Sequence, residues 1–275
     1  MGAQSRKIRG CMLWLVGLIR GDGYIDNRHV EIYNSSACIL RNAVKVLRTL
    51  KIPVNRIKVD IYTQKASNST VQRWVEELNL PPQNFKLRNI TSPWKPRTEK
   101  VRIRIASKKL AETLHRLLKN AKNSKFYIKG LFDAEASVDI KGYVEFKQAA
   151  SESGIKLVKD VNHALRRMGI EVTEPKIKKD KRNKKKDIYF YVKDLEKFRD
   201  LIGFVDETKK QKLNILIEVK KNYKKPVKKE IKKPKHKSLW DVIFELKLPY
   251  HVIRRLASSY STKTARRADR FAKTR

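Results

Sequence analysis

The chain has 275 residues, 40% of them hydrophobic, with 66 Lys and Arg against 28 Asp and Glu and a formal net charge of +38 at pH 7. Apolar content of that order can bury a core and excludes disorder throughout, while the excess of positive charge departs from mixed-sign thermophile surfaces and points to a polyanion, nucleic acid first. No apolar run reaches the roughly 18 residues of a membrane span, no signal peptide is read at the N-terminus, and Cys11 and Cys38 lack metal-ligand spacing, so a reducing, cytoplasmic setting without a membrane partner is expected.

The first predicted element is an apolar helix ending in "LVGLIRGDGYID", Leu15 to Asp26. Gly17 and Gly21 lie four apart on one helical face, and Asp22 follows directly. Next come an alternating strand, "HVEIYNSSA", and an amphipathic helix, "ILRNAVKVLRTLKI", with Ile39, Ala43, Val46, Leu47 and Leu50 on one stripe. The strand "RIKVDIY" alternates Ile57, Val59 and Ile61 with Lys58, Asp60 and Tyr62. An insertion over about 64–100 holds a short helix, "STVQRWVEELNL", and a proline-punctuated excursion whose aromatics read as local core. It ends at the strand "VRIRI", which turns Arg102 and Arg104 outward.

The pattern then repeats. "IKGLFDAEASVDI" aligns without gaps on the first motif, pairing Gly17 with Gly130, Leu18 with Leu131, Asp22 with Glu135 and Asp26 with Asp139. The strand "YVEFKQAAS" presents Tyr143, Glu145 and Lys147 opposite Val144 and Phe146, and an amphipathic helix follows with Leu157, Val161, Ala164, Leu165 and Met168 in register. A basic segment, "KIKKDKRNKKKD", carries Lys178 and Arg182 on a hairpin or loop that would sit against phosphates. A strand with Tyr189 and Tyr191 alternating with Ile188, Phe190 and Val192 closes the repeat. Beyond a helix around "ETKKQKLNILIEVKKN" lie a Lys/Pro linker (223–237) and three short helices (238–275) that include Arg266 and Arg267. These read either as a helix-turn-helix-like module or as a helical tail.

Gly17 and Gly21 in one helix, with Gly130 and Ala134 in the other, would let two helix backbones approach closely and bring Asp22 and Glu135 out side by side. Carboxylates forced together repel, and a divalent cation relieves that repulsion. A pair of such helices ending in adjacent acids resembles the LAGLIDADG homing endonuclease family in its two-motif, single-chain form. The resemblance implies an α+β fold of two pseudo-symmetric αββαββα repeats (1–121 and 122–222) with saddle-shaped antiparallel sheets lying on DNA, plus the C-terminal helical extension. It implies that Asp22 and Glu135 bind Mg²⁺ or Mn²⁺, and that a monomer cuts both strands by metal-assisted hydrolysis. Active members commonly place a Lys near the end of the second strand of a repeat. Here those places fall near Ser35 and Ala149, and Lys147 is the nearest basic residue. Arg20 replaces the first motif's earlier acid and would set a cation beside the metal site.

The outward residues Arg28, Lys58, Tyr62, Arg102, Arg104, Tyr143, Glu145, Lys178, Arg182, Tyr189, Tyr191, Arg266 and Arg267 are the candidates for nucleic-acid contact, with double-stranded DNA the expected partner and structured RNA the alternative. The retained acid pair favours an endonuclease. The absent lysines and the long basic tail favour a non-cleaving relative, an RNA maturase or a domesticated regulator.

Overall fold

The computed structural model describes residues 2–63, 67–89, 99–139, 142–179 and 186–222. The expected linker and helical tail, with Arg182, Arg266 and Arg267, lie outside the described residues. Residues 1–217 form one compact unit, and the description of the second unit ends with the helix that reaches Asn222.

Helix α1 (Ala3–Asp22) carries Trp14, Leu15, Val16, Leu18 and Ile19 as a nearly continuous apolar run and buries them all. Its counterpart α5 (Lys125–Glu135) buries Tyr127, Ile128, Leu131 and Phe132. The two cross backbone to backbone. A Cβ placed on Gly17 would stand 2.0 Å from the Tyr127 carbonyl oxygen, and one on Gly130 would stand 2.1 Å from that of Trp14. Any larger side chain at either point would hold the helices apart. The contact is also polar at one place, where the Trp14 indole donates 2.8 Å to Asp133 across the interface.

Each motif helix leads directly into a sheet. In the first repeat, β1 (Gly23–Ile25), β2 (His29–Asn34), β3 (Ile57–Thr63), β4 (Phe85–Asn89) and β5 (Lys100–Ala106) take the order β1-β2-β5-β3-β4. In the second, β6 (Ala136–Asp139), β7 (Tyr143–Ala149), β8 (Lys176–Lys179) and β9 (Lys186–Val192) take the order β6-β7-β9-β8. The inner faces follow the period-two alternation. Val30, Ile32, Ile57, Val59, Ile61, Val101, Ile103 and Ile105 are buried beneath the first sheet; Val144, Phe146, Ile188, Phe190 and Val192 are buried beneath the second. Helices α2 (Ala37–Thr49) and α6 (Glu152–Arg167) lie at equivalent places in the chain, and both begin at a serine N-cap, Ser36 or Ser151, as their sequence pattern requires.

The insertion departs from expectation. Its helix forms as α3 (Asn68–Leu78), burying Thr70, Trp74 and Leu78. The stretch beyond it, read from its prolines as an irregular excursion, supplies strand β4, which pairs parallel to β3 with Val59 opposite Phe85 and Ile61 opposite Leu87. A helical crossover between two strands delivers them parallel, so the first sheet is antiparallel except at this edge.

After β5 and α4 (Lys108–Asn120) the chain re-enters the core as α5. After β9 and α7 (Leu195–Leu201) it turns at Gly203, whose φ of +57° is in the left-handed region, and starts α8 (Glu207–Asn222). Phe198 and Phe204 pack around Phe132 together with Phe146 and Phe190, with ring centroids 4.8 to 6.5 Å from it. That aromatic cluster fixes where α8 begins, and the start of α8 falls beside the ends of α1 and α5.

Candidate active site and nucleic-acid face

Asp22 is the last residue of α1 and Glu135 the last of α5. Gly21 and Ala134 meet at this end of the two helices. A Cβ on Gly21 would meet the Ala134 Cβ at 2.5 Å and Glu135 Oε1 at 3.4 Å, which places the Glu135 carboxylate against the backbone that precedes Asp22. Each acid has an amide neighbour from the strand of its own repeat. Asn34, at the end of β2, donates to Asp22 at 3.3 Å, and Gln148, its equivalent on β7, hydrogen-bonds Glu135.

Burial pushes the Asp22 carboxyl up to about 6, against the pull of Lys209 and Lys100. Burial, with repulsion from Asp22, pushes Glu135 up to about 7, against its bond with Gln148 and the charges of Lys209 and Lys147. Two half-buried acids that resist ionising beside each other form a site in need of positive charge.

Part of that charge comes from a residue the sequence did not single out. Lys209, on the first turn of α8, donates to the carbonyl oxygens of Asp133 at 2.6 Å and Phe132 at 3.3 Å, the C-terminal end of α5. Burial lowers its own pKa, opposed by Asp133, Asp206, Asp22 and Glu135. It is held there from both sides. Asp133 accepts from the Val205 and Asp206 backbone amides at 2.8 and 3.3 Å. Asp206 caps α8 through the Lys209 amide at 2.9 Å and accepts from the Ser36 hydroxyl at 2.5 Å. Asp22, Asn34, Ser36, Lys100, Asp206 and Lys209 line a cleft of about 260 Å³.

The cations therefore arrive by a different route than the sequence implied. Ser35 and Ala149 have no basic neighbour of their own in sequence; Lys209 reaches in from α8 and Lys100 from the start of β5. Lys147 does influence Glu135, but its ammonium pairs with Asp187 at 3.3 Å. Arg20 does not sit beside the acids as expected. It lines a separate cleft with Tyr127, Lys122, Lys156 and Asp160, because its helical position faces α4 and α6. The one signal that marked Lys209 was its place three residues after the N-cap Asp206, and the Lys run of α8 hides it among exposed lysines.

The outer sheet faces carry the other candidates. On the first sheet, Tyr24, Glu31, Arg104 and Lys58 form one cross-strand row and Tyr33, Arg102, Asp60 and Lys86 the next. Arg104 and Lys58 are exposed. Arg102 is not free to reach outward: it binds Asp60 at 2.7 and 3.1 Å and Glu31 at 3.3 Å, with Tyr33 and Tyr62 rings against its guanidinium. Asp60, which also takes Arg88 at 2.9 Å, is buried and held below the usual carboxylate range by these guanidiniums despite its desolvation. Arg28 sits in the exposed turn between β1 and β2, where Asp26 caps its amide at 2.6 Å. On the second sheet, Lys178 pairs with Glu145 at 2.5 Å, and Tyr143, Tyr189 and Tyr191 lie together beside them.

A pair of pseudo-symmetric sheets joined by motif helices that end in adjacent acids is the architecture of two-repeat LAGLIDADG proteins. Residues 122–203 match the model of the LAGLIDADG-like domain family. Solved structures similar to the chain include the homing endonuclease I-DmoI in complex with DNA and Mn, at 17% identity and a TM-score of 0.44 over 71% of this chain and 97% of that one. Another is full-length DUF199/WhiA from Thermatoga maritima, at 15% identity and a TM-score of 0.46 over 90% of this chain and 67% of that one.

Proposed function

We propose that the chain is a monomeric, site-specific double-strand DNA endonuclease that hydrolyses phosphodiesters with magnesium or manganese. The observation that carries this reading is the pair Asp22 and Glu135, set side by side at the end of α1 and α5 with their carboxyls pushed up to about 6 and 7. A hard divalent cation takes one or two carboxylates and completes its shell with water and phosphate oxygens. Two carboxylates are a donor set of that size, and water and substrate would supply the rest. Bound there, the cation would polarise a phosphoryl oxygen and make an attacking water more acidic.

The chain's own residues do the positioning. Asn34 and Gln148 fix the rotation of the two carboxylates, and Lys209 favours their ionised forms from the closed side of the cleft. The exposed cations of the first sheet, Lys58, Lys86, Arg88 and Arg104, hold the sugar-phosphate backbone, and the outer rows of both sheets meet base edges in the groove.

The ammonium of Lys209 also favours a second reading, since it already offsets part of the acids' charge and so would let a non-cleaving nucleic-acid-binding protein keep them. A randomised duplex library incubated with Mg²⁺ and with Mn²⁺ separates the two. Discrete double-strand cuts that vanish in Asp22→Asn and in Glu135→Gln are the expected result. Tight binding with no cut in either metal, or cutting that survives both substitutions, overturns the endonuclease mechanism.

A further inference from the structure

The two sheet faces differ in charge and in chemistry. On the first, Lys58, Lys86, Arg88, Lys100, Arg102 and Arg104 outnumber Glu31 and Asp60, Tyr24 stands exposed at the β1 edge, and Tyr33 and Tyr62 are separated by the Arg102 guanidinium. On the described strands of the second, two lysines are paired with acids. Lys178 pairs with Glu145 and Lys147 with Asp187, and the Tyr143 hydroxyl shares hydrogen bonds with Asp139 and Tyr191.

Beside these pairs the face carries three contiguous tyrosines. Tyr143 and Tyr191 have centroids 4.2 Å apart and Tyr191 and Tyr189 are 5.2 Å apart. The rings are tilted against one another, by 46° between Tyr143 and Tyr191 and 58° between Tyr189 and Tyr191, and the Lys178 ammonium lies 4.2 Å from the Tyr189 ring centre. Rings set at such angles offer a base no flat platform to stack on. All three are half-buried, so the strip presents apolar ring carbon bounded by hydroxyls. In the major groove the apolar feature such a strip can meet is the thymine 5-methyl group, which the other three bases lack.

We infer that the tyrosine strip on β7 and β9 makes the second repeat a reader of thymine methyl groups, so that the half of the target beneath it is selected for thymine. This rests on the proposed binding of duplex DNA and adds to it which base the second sheet selects and how.

The test uses the full chain and a duplex recovered by selection from a randomised library. Each thymine is replaced in turn by deoxyuridine, which removes the methyl group alone, and by 5-iodouracil, which fills the same space and photo-crosslinks to a touching aromatic ring. Crosslinks should map to the peptides of β7 or β9. At those positions deoxyuridine should weaken binding about fourfold, the weight of one buried methyl. Tyr189→Ser or Tyr191→Ser should erase the preference for thymine over deoxyuridine. Thymines in that half that tolerate deoxyuridine, or crosslinks confined to the first sheet, overturn the inference while leaving duplex binding intact. If no duplex is bound at all, the proposed function falls and the inference with it.

Discussion

Lys209 shows how one buried cation can serve four carboxylates. Its ammonium is satisfied by the two carbonyls at the end of α5, and Asp133, Asp206, Asp22 and Glu135 all interact with its charge. Lys209→Met keeps the length of the side chain and removes the charge. The change leaves the two carbonyls at the end of α5 without their donor and the acids without a compensating charge, and urea unfolding at pH 8 should show a loss of about 1–3 kcal/mol. The same substitution measured at pH 5, where the acids can take protons, should cost clearly less. Glu135 gives a second, oppositely signed test. Its carboxyl sits at about 7 against an ordinary 4.5, so the folded protein holds that proton more tightly than the unfolded chain does. The stabilisation this brings is complete below the unfolded value and is lost as pH rises through about 7. Metal-free Glu135→Gln has no such loss, so its Tm relative to the unsubstituted protein should climb between pH 5 and pH 8, and added Mg²⁺ at pH 8 should raise the Tm of the unsubstituted protein while leaving the variant unmoved.

At the scale of elements, the crossing of α1 on α5 tolerates no added atom at its closest points, and the sequence points to it. Small residues four apart followed by an acid, Gly17 and Gly21 before Asp22 and Gly130 and Ala134 before Glu135, specify two close-packed helices and say where their ends lie. A methyl group on Gly17 or Gly130 would meet backbone oxygen at 2.0 or 2.1 Å, and neither helix can give way locally. Gly17→Ala and Gly130→Ala should each destabilise the protein by about 3 kcal/mol or more, whereas Gly2→Ala, with nothing within 4 Å, should leave the melting temperature unchanged. What could not be read was any contact made by a residue whose period carries no information. In α8 the lysines fall on every side, and it is Asp206 capping the helix and Phe204 anchoring its approach that turn Lys209, rather than Lys210 or Lys212, toward the acids. Strand β4 escaped for a related reason: it has only Phe85 and Leu87 to show alternation, and its parallel partner is reached through α3, which no local turn signal announces.

Across the first sheet, exposed cations and cations already paired with acids are different residues, although all looked alike as a basic alternating pattern. Arg102 and Arg104 are two apart on β5 and point to the same face, yet Arg102 is enclosed by Asp60, Glu31, Tyr33 and Tyr62 while Arg104 stands exposed between Glu31 and Lys58. Sequence alternation assigns a face; it cannot say which cation a neighbouring acid has already taken. The distinction has a measurable consequence for binding to duplex DNA. Each phosphate neutralised releases counterions and adds about 0.9 to the slope of log K against log salt. Lys58→Ala and Arg104→Ala should each flatten that slope by about 0.9 and weaken binding to every sequence alike. Arg102→Ala should leave the slope within the error of the measurement, because its charge is spent inside the face, and should lower stability instead by stranding Asp60, whose carboxylate would keep only Arg88. A slope that falls equally for Arg102 and Arg104 would mean that the Asp60 and Glu31 pairs open when DNA binds, and that the first sheet presents its whole row of guanidinium groups to the phosphates.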